Sequence, residues 1–366
     1  MDRTHGMWKW ATGATATAIL LMQIGGTSPA TAQNLSSDDK SSGQVGAVEC
    51  KLCDLRYRRY IGGQMSGSRF TGAFMFRADF SRAVLIGSDF ESANLVLATL
   101  ERADFSKANL SKADLSRAAM LGVTLRDAVM RFTNLQGAYL EGAELTGANM
   151  TGADLRGANL FRVFADKTIL RHADMRGAVL NRGNFRRANM EGAKLVGANL
   201  SGADLTMVNL SNADLRGADL RGADLSYARL LGADMRKAKL GKAVLYGTNI
   251  KAADFTGADL TGALIASVVS TGTNFCRATM PDGERGNSTS AQLDGEEKDL
   301  RDLRAIGTVG NGVVRPAFSD TDMEARRWLK KRYEDAGLEA TLDGVGNVLG
   351  RSRNNGPALI IGSHSD

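Results

Sequence analysis

A large apolar residue recurs at every fifth position of this chain for more than two hundred residues. From Phe70 to Met280 there are 43 such positions, and all but Ala165 and Ser270 are Leu, Ile, Met or Phe. Two residues before each of them, alanine fills 32 of the 43 places. A period of five matches neither the 3.6 residues of an α-helix nor the two residues of a flat strand. Such a chain must turn at regular intervals, which predicts a solenoid.

Each pentad is expected to form one wall of this solenoid. The large residue and the small residue two places before it point inward, and alanine is needed there because a bulkier side chain would collide in a narrow interior. Glycine is common two residues after the large one, as at Gly142 and Gly147, where a corner needs backbone freedom. The residue between the two inward positions is commonly Asp or Asn and faces outward. For these carboxylates we expect hydrogen bonds to turn backbone rather than acid-base chemistry; examples are Asp204, Asp214, Asp219 and Asp224.

The tandem pattern A-[D/N]-L-x-x, over about residues 50–283, resembles the pentapeptide-repeat family. That resemblance implies an all-β solenoid, a right-handed quadrilateral β-helix with four pentads in each coil. The 46 pentads from Leu55 to Met280 would then form about 11 coils, and at ~4.8 Å per coil they would extend over roughly 55 Å. Residues twenty apart should stack, so that Phe70 lies on Phe90 and Phe255 on Phe275. No cofactor is expected for the repeat domain.

The N-terminus is typical of a secretory signal peptide. Arg3 and Lys9 precede an apolar run from Trp10 to Ile24, and Ala30-Thr31-Ala32 offers a small-residue cleavage site. We therefore expect residues 1–32 to be removed and 33–49 to be a disordered linker. The mature protein would be periplasmic or secreted, without a transmembrane span. An uncleaved N-terminal anchor is the alternative.

Two of the three cysteines, Cys50 and Cys53, fall at inward positions just before the first clear pentad. They are expected to lie in the N-terminal cap of the solenoid. A disulfide between them is one interpretation in an oxidising compartment, while inert packing is the one we favour. A redox motif would need a surrounding βα unit, and a zinc site lacks ligands because Cys276 is distant and outward.

Charge is concentrated in the repeat, which has 31 basic and 22 acidic residues between positions 50 and 283, within a chain of net charge +6. A basic surface favours anionic partners. Several basic residues differ in position by multiples of twenty and would form ladders along the solenoid for an anionic polymer such as lipopolysaccharide or nucleic acid. The alternative is a solvated face interleaved with Asp. The two series are Arg82, Arg102, Arg162, Arg182 and Lys242, and Arg156, Arg176, Arg216 and Arg236.

Proteins are the other class of partner that this surface could bind. Some pentapeptide-repeat proteins shield gyrase by mimicking DNA, which requires a strongly acidic surface; this chain is basic and carries an export signal, so we do not expect gyrase as its partner. An unknown protein or a second copy of the chain remains a candidate. Outward apolar residues offer a modest contact surface, namely Tyr139, Phe164, Ile169 and Val179. The repeat's one histidine, His172, is interpreted as a solvated surface residue.

After Gly283 the period ends, and the sequence changes character. Residues 284–298 are polar and are interpreted as a linker. Residues 299–366 are expected to form a small, incomplete α/β segment. Its predicted helices lie at 300–306 and from Ser319 or Asp320 to Gly337, and its predicted strands at 338–342, 347–350 and 358–361.

This tail resembles the start of zinc-dependent amidohydrolases that include N-carbamoyl-amino-acid hydrolases and allantoate amidohydrolase. The resemblance implies that His364 is a ligand for zinc or manganese and that Asp366 orients its imidazole. The family's paired metals also need ligands downstream of this motif, and the other histidines, His5 and His172, cannot supply them. The matching pieces are residues 312–319, Ala336-Gly337-Leu338, residues 343–347 and Gly362-Ser363-His364-x-Asp366.

These observations favour a non-catalytic, exported repeat scaffold that carries a truncated hydrolase-like tail. The tail is interpreted either as a truncated gene product or as a hydrolase remnant fused to a repeat protein. No catalysis is expected from this chain alone. The alternative function is that of a fragment of a metal-dependent hydrolase acting on C–N amide or carbamoyl bonds.

Overall fold

Parallel pairing between residues twenty apart organises the repeat. The computed structural model describes residues 46–286 and, further along, five short strands between residues 308 and 361. Single-residue bridges run from Glu49↔Arg69 to Asp259↔Thr279, always with a spacing of twenty, so four pentads make one coil. The predicted stacking is confirmed: ring centroids lie 4.9 Å apart for Phe70 and Phe90, and 5.2 Å apart for Phe255 and Phe275.

We number the five positions of a pentad from i−2 to i+2, with i the large apolar residue. Positions i and i−2 line the interior, and from Phe70 to Phe255 every residue at position i has 1% or less of its surface exposed. Where threonine replaces alanine at i−2, its hydroxyl donates to the carbonyl oxygen of the large apolar residue 23 positions earlier, on the preceding wall of the coil below, as from Thr133 to Leu110 and from Thr168 to Leu145, each at 2.8 Å. The narrow interior therefore accepts a polar atom only where that atom is hydrogen-bonded.

Every corner between two walls places its second residue, i+2, in the left-handed region. All 46 such positions from Leu52 to Arg277 have positive φ, and 25 of them are not glycine. Left-handed backbone costs an L-residue roughly 1–2 kcal/mol, so the ladder of hydrogen bonds between coils must hold these corners in place. The sequence predicted glycine at the corners; the structure shows that Arg, Lys, Ser and Asn are held in the same conformation.

The Asp and Asn residues at position i−1 complete the backbone hydrogen bonding. In most pentads within residues 46–286, the N–H groups of i−2, i−1, i and i+2 donate to carbonyl oxygens of the same corner or of an adjacent coil. The N–H of i+1 is left over, and it donates to the side-chain oxygen of residue i−1, as from Ser106 to Asp104 at 2.9 Å. The prediction that these carboxylates serve the turn backbone is confirmed, and this accounts for the repeated A-D-L and A-N-L triplets.

Both ends of the solenoid depart from the repeat. At the N-terminal end the Sγ atoms of Cys50 and Cys53 are joined in a disulfide, and Cys50 is buried. At the C-terminal end the chain reverses after Met280, and Thr279 pairs with Arg285 in an antiparallel bridge. Two coils near this end contain short extended strands, β1 (Val244–Tyr246) and β2 (Leu264–Ala266), which pair in parallel.

The tail contributes five described strands. β3 (Thr308–Val309) pairs with β4 (Gly312–Val313), and β5 (Leu338–Leu342), β6 (Val348–Ser352) and β7 (Leu359–Ile361) form an antiparallel sheet in the order β5-β6-β7. The last three lie where the sequence predicts strands. The expected signal peptide, both linkers for most of their length, the two tail helices and the motif containing His364 and Asp366 lie outside the described residues.

Candidate anion-binding surface

The two basic series predicted from the sequence occupy different places in the pentad. Arg156, Arg176, Arg216 and Arg236 stand at position i+1, and we call them the paired column. Arg82, Arg102, Arg162, Arg182 and Lys242 stand at position i+2 of a different corner, and we call them the basic corner. Because the chain turns between these positions, the two series face different surroundings.

Each arginine of the paired column is bound to an aspartate in its own pentad. The shortest distances between guanidinium nitrogen and carboxylate oxygen are 2.5 Å for Arg156 and Asp154 and 2.6 Å for Arg236 and Asp234. Contacts also reach the next coil, since Arg216 Nε lies 3.6 Å from Asp234 Oδ2 and Arg236 Nε lies 3.8 Å from Asp254 Oδ2. This column is therefore a ladder of alternating charge along the solenoid. The interpretation of these four arginines as a ladder for an external anion is not supported by their geometry.

The arginine–aspartate pairing lowers the pKa of the carboxyl groups. Hydrogen bonds from arginine are the main cause that lowers the pKa of Asp154, Asp174, Asp214 and Asp234, with partial burial opposing them. In the first coil the same arrangement of Arg56 on Asp54 lowers the pKa of that carboxyl to about 2. The aspartates are thus held as anions whose charge is already compensated.

The basic corner has no such compensation. Among the described residues, none of its five side chains has a carboxylate oxygen within 4.0 Å. All five are exposed. Arg182 and Lys242 each lean toward a glycine one coil further on, with their Cγ atoms 3.8 and 3.7 Å from where a Cβ of Gly202 and Gly262 would lie. The corner therefore offers free cations to solvent, in two pairs of adjacent coils and a single lysine.

Sequence reasoning missed two cations that stand one corner further along the same coils. Lys167 and Arg187 also occupy positive-φ corner positions, and they belong to the coils that carry Arg162 and Arg182. The signal was present in the twenty-residue spacing between them. Each basic series follows a single corner, whereas a binding surface also includes the residues of the neighbouring corner.

The outward apolar residues do not form one surface. Tyr139 and Val179 share a wall two coils apart, while Phe164 lies on the next wall and Ile169 on the one after it. Tyr139 and Phe164 are the most exposed, at 58% and 53%. The predicted contact surface is therefore divided among three walls.

Catalytic or metal-binding clusters are absent from the part of the chain that the structure describes. No group of three or more His, Cys, Asp or Glu side chains there could hold a metal ion. His172 is exposed at a corner, and Cys276 is a free, partly buried thiol. Within the same residues, no helix is long and apolar enough to cross a bilayer.

Comparison with known proteins identifies the repeat. The family model for pentapeptide repeats matches in eight copies, over residues 64–102, 84–122, 124–160, 168–206, 203–241 and 230–265. Similar solved structures include HetL, a pentapeptide repeat protein involved in heterocyst differentiation regulation in the cyanobacterium Nostoc. It is 26% identical at a TM-score of 0.30, over 66% of this chain and 91% of HetL. QnrB1, a plasmid-mediated fluoroquinolone resistance protein, is 18% identical at a TM-score of 0.31, over 70% of this chain and 99% of QnrB1.

A curated relative of a different kind also matches. N-carbamoyl-L-amino-acid amidohydrolase from Paenarthrobacter aurescens is 33% identical over 79 residues, which is 21% of this chain and 19% of that enzyme. The chain thus spans about a fifth of the length of this relative.

Proposed function

The chain belongs to the pentapeptide-repeat family, and we propose that it is an exported, non-catalytic scaffold whose basic corner binds an anionic polymer. The observation that carries this proposal is the separation of its arginines into two classes. Those of the paired column are neutralised by aspartate, whereas those of the basic corner have no carboxylate partner among the described residues. Unpaired cations aligned along one corner of a solenoid are suited to repeated anionic groups.

The finer features of the proposal follow from the sequence. The solenoid is taken to wind to the right with four walls, as the family resemblance implies. Export is supported by the signal-like residues 1–32 and by the disulfide between Cys50 and Cys53, a bond typical of oxidising compartments.

The test compares substitution of the five cations of the basic corner with substitution of the four arginines of the paired column. In one variant Arg82, Arg102, Arg162, Arg182 and Lys242 become Ser; in the control, Arg156, Arg176, Arg216 and Arg236 become Ser. We expect wild-type protein to be retained on heparin and released by salt, and the basic-corner variant to elute at markedly lower salt. The control should elute later than that variant, since its arginines are already compensated. Equal losses in both variants, or no retention of the wild type, would contradict the proposal.

A second function is favoured by the match to the amidohydrolase. It is hydrolysis of a C–N bond by a complete form of the tail, with zinc or manganese activating water. His364 and Asp366, the candidate ligand and its orienting carboxylate, lie outside the described residues. Incubation of the full chain with N-carbamoyl amino acids and added zinc or manganese should yield no turnover; measurable turnover would favour this second function over the scaffold.

A further inference from the structure

One wall of the solenoid brings an exposed aromatic ring between four cations. Phe164 occupies position i−1 and is 53% exposed, and Asn184 is its bridge partner one coil further on. The corner before them carries Arg162 and Arg182, and the corner after them carries Lys167 and Arg187. Adjacent coils lie ~4.8 Å apart, so the wall of the ring is flanked on each side by one cation of its own coil and one of the next coil. We call Phe164 and these four residues the aromatic-cation frame.

The cations of the frame are largely free to meet a ligand. Among the described residues, no carboxylate oxygen lies within 4.0 Å of Arg162, Arg182 or Arg187, and Lys167 Nζ is 3.9 Å from Asp166. The Arg162 guanidinium lies 4.9 Å from the centroid of the Phe161 ring. That contact holds the cation at the corner without neutralising its charge.

The repeat departs from its consensus beneath this frame. Ala165 replaces the large residue at position i, and Gly183 replaces the small side chain at i−2 in the next coil. Asn181 Oδ1, at the corner beside Arg182, is the one buried side-chain N or O atom without a hydrogen-bond partner in the described part of the chain. Three departures from the consensus in two neighbouring coils mark a place where the demands of folding alone do not account for the sequence.

From this arrangement we infer that the aromatic-cation frame binds single-stranded nucleic acid, an inference that rests on the proposed anion-binding function and specifies its ligand. An exposed Phe ring offers a platform on which an unpaired base can stack, and flanking Arg and Lys side chains bind the phosphates on either side. Bases of a duplex are already stacked and paired, so they are not available to Phe164.

The acidic residues around the frame favour a single strand over other polyanions as the ligand. On the same wall, Glu144 lies one coil before the frame and Asp204 one coil after it; Glu141 lies at the corner before that wall, and Asp166 lies within the frame beside Lys167. A broad anionic surface such as a bilayer would meet those carboxylates, whereas a single strand that crosses the solenoid contacts only two coils. A sulfated polysaccharide satisfies the cations but presents no planar base to the ring.

The test measures binding of a fluorescein-labelled oligothymidine of about 12 nucleotides to the full chain by anisotropy, beside its duplex and heparin. Phe164→Ala should weaken oligothymidine binding roughly 5- to 150-fold, the range expected for loss of one stacked base. It should leave heparin binding unchanged. Phe164→Tyr should retain binding of the oligonucleotide because it keeps an aromatic ring, and the unchanged heparin binding of Phe164→Ala excludes misfolding as the cause of its loss. Tyr227→Ala is the matched aromatic control, because Tyr227 is also 53% exposed but stands outside the frame.

The outcomes separate this inference from the function on which it rests. Replacing Arg162, Arg182, Lys167 and Arg187 by Ser should weaken both oligothymidine and heparin. Wild-type binding to heparin without preference for the single strand over the duplex would overturn the inference and leave the proposed function standing. An unchanged oligothymidine affinity in Phe164→Ala, or an equal loss in Tyr227→Ala, would also overturn it. Absence of binding to both polyanions would refute both.

Discussion

At the scale of single residues, the interior tolerates few changes in volume because neighbouring coils determine each other's space. Gly183 is the one glycine among the i−2 positions between residues 68 and 278. A Cβ at this position would lie 2.6 Å from Cε2 of Phe185 and 3.1 Å from both Leu180 O and Val163 Cγ1. The ring of Phe185 thus occupies the space that an alanine side chain fills in other pentads. Ala165 occupies position i one coil before Phe185, and this small residue leaves room for the ring of Phe185.

Gly183→Ala is therefore expected to destabilise the solenoid, although it restores the consensus residue. Overpacking of this kind costs roughly 1–3 kcal/mol, and the free energy of unfolding from denaturant titration measures it. The double variant Gly183→Ala, Phe185→Leu should recover part of the loss, because leucine does not reach the new methyl group. Additive effects of the two substitutions would show that the ring and the added methyl do not compete for space.

At the scale of the repeating element, the pentad explains what the sequence could and could not predict about the candidate site. The columns of residues twenty apart could be named in advance because the family resemblance implies four pentads per coil; the period of five alone does not fix that number. The different roles of the two basic series were not, because spacing does not say whether an arginine turns back on a carboxylate. Arg216 at i+1 is within reach of Asp214 at i−1, whereas Arg182 at i+2 has passed the corner. Position within the turn, rather than register, decides which cations remain free.

The paired column predicts a loss of stability in acid. The carboxyl pKa values of Asp154, Asp174, Asp214 and Asp234 are lowered in the folded state, so their contribution is present above the unfolded pKa of ~3.9. It is lost as the pH falls from about 4 toward the folded pKa values, which for the related Asp54 is about 2. Replacing the four arginines by Gln should lower the unfolding midpoint little at pH 7, since solvent screens exposed ion pairs.

The variant should then lose less of its midpoint between pH 5 and pH 2.5 than the wild type does, as read by thermal unfolding at both pH values. Aspartates that bind threonine, such as Asp259, keep their lowered pKa in both proteins and provide a common background. A parallel decline in wild type and variant would show that the arginine pairs do not cause the acid sensitivity.

The N-terminal cap supports a further prediction about a single element. Each coil contacts only its neighbours, so the disulfide should stabilise the first coil and little else. Replacing Cys50 and Cys53 by Ser should increase amide hydrogen exchange in residues 50–65, including the Cys50 N–H that donates to Arg69 O at 2.7 Å, and leave the coil containing Phe255 unchanged. Cys276→Ser is the control at the other end. Loss of protection along the whole solenoid would mean that the cap governs global stability.

At the scale of the whole molecule, the coil length is the property that the sequence alone left undetermined. A strict period of five requires regular turns, and it predicts which side chains are buried. Three, four or five pentads per coil would all keep Leu220 and Leu240 inside. Pairing between residues twenty apart, seen from Glu49↔Arg69 to Asp259↔Thr279, fixes the number at four, as the family resemblance implied. The nearest-neighbour character of the fold then makes each coil nearly equivalent to the next.

Equivalence of the coils predicts that one can be removed whole. Deletion of residues 203–222 joins Gly202 to Ala223, which keeps the sequence S-G-A-D-L and returns every later residue to its own wall. The shortened protein should fold with an unchanged far-ultraviolet spectrum per residue and a modestly lower unfolding midpoint, because it loses one coil and no capping residue.

Deletion of residues 203–220 removes two residues fewer, yet it places Arg221 at an inward i−2 position and moves later leucines out of the interior. Burial of an unpaired guanidinium costs several kcal/mol, so this second protein should be insoluble or unfolded. If both deletions fold equally well, stacking by columns does not determine stability, and the assignment of walls to the pentads is wrong.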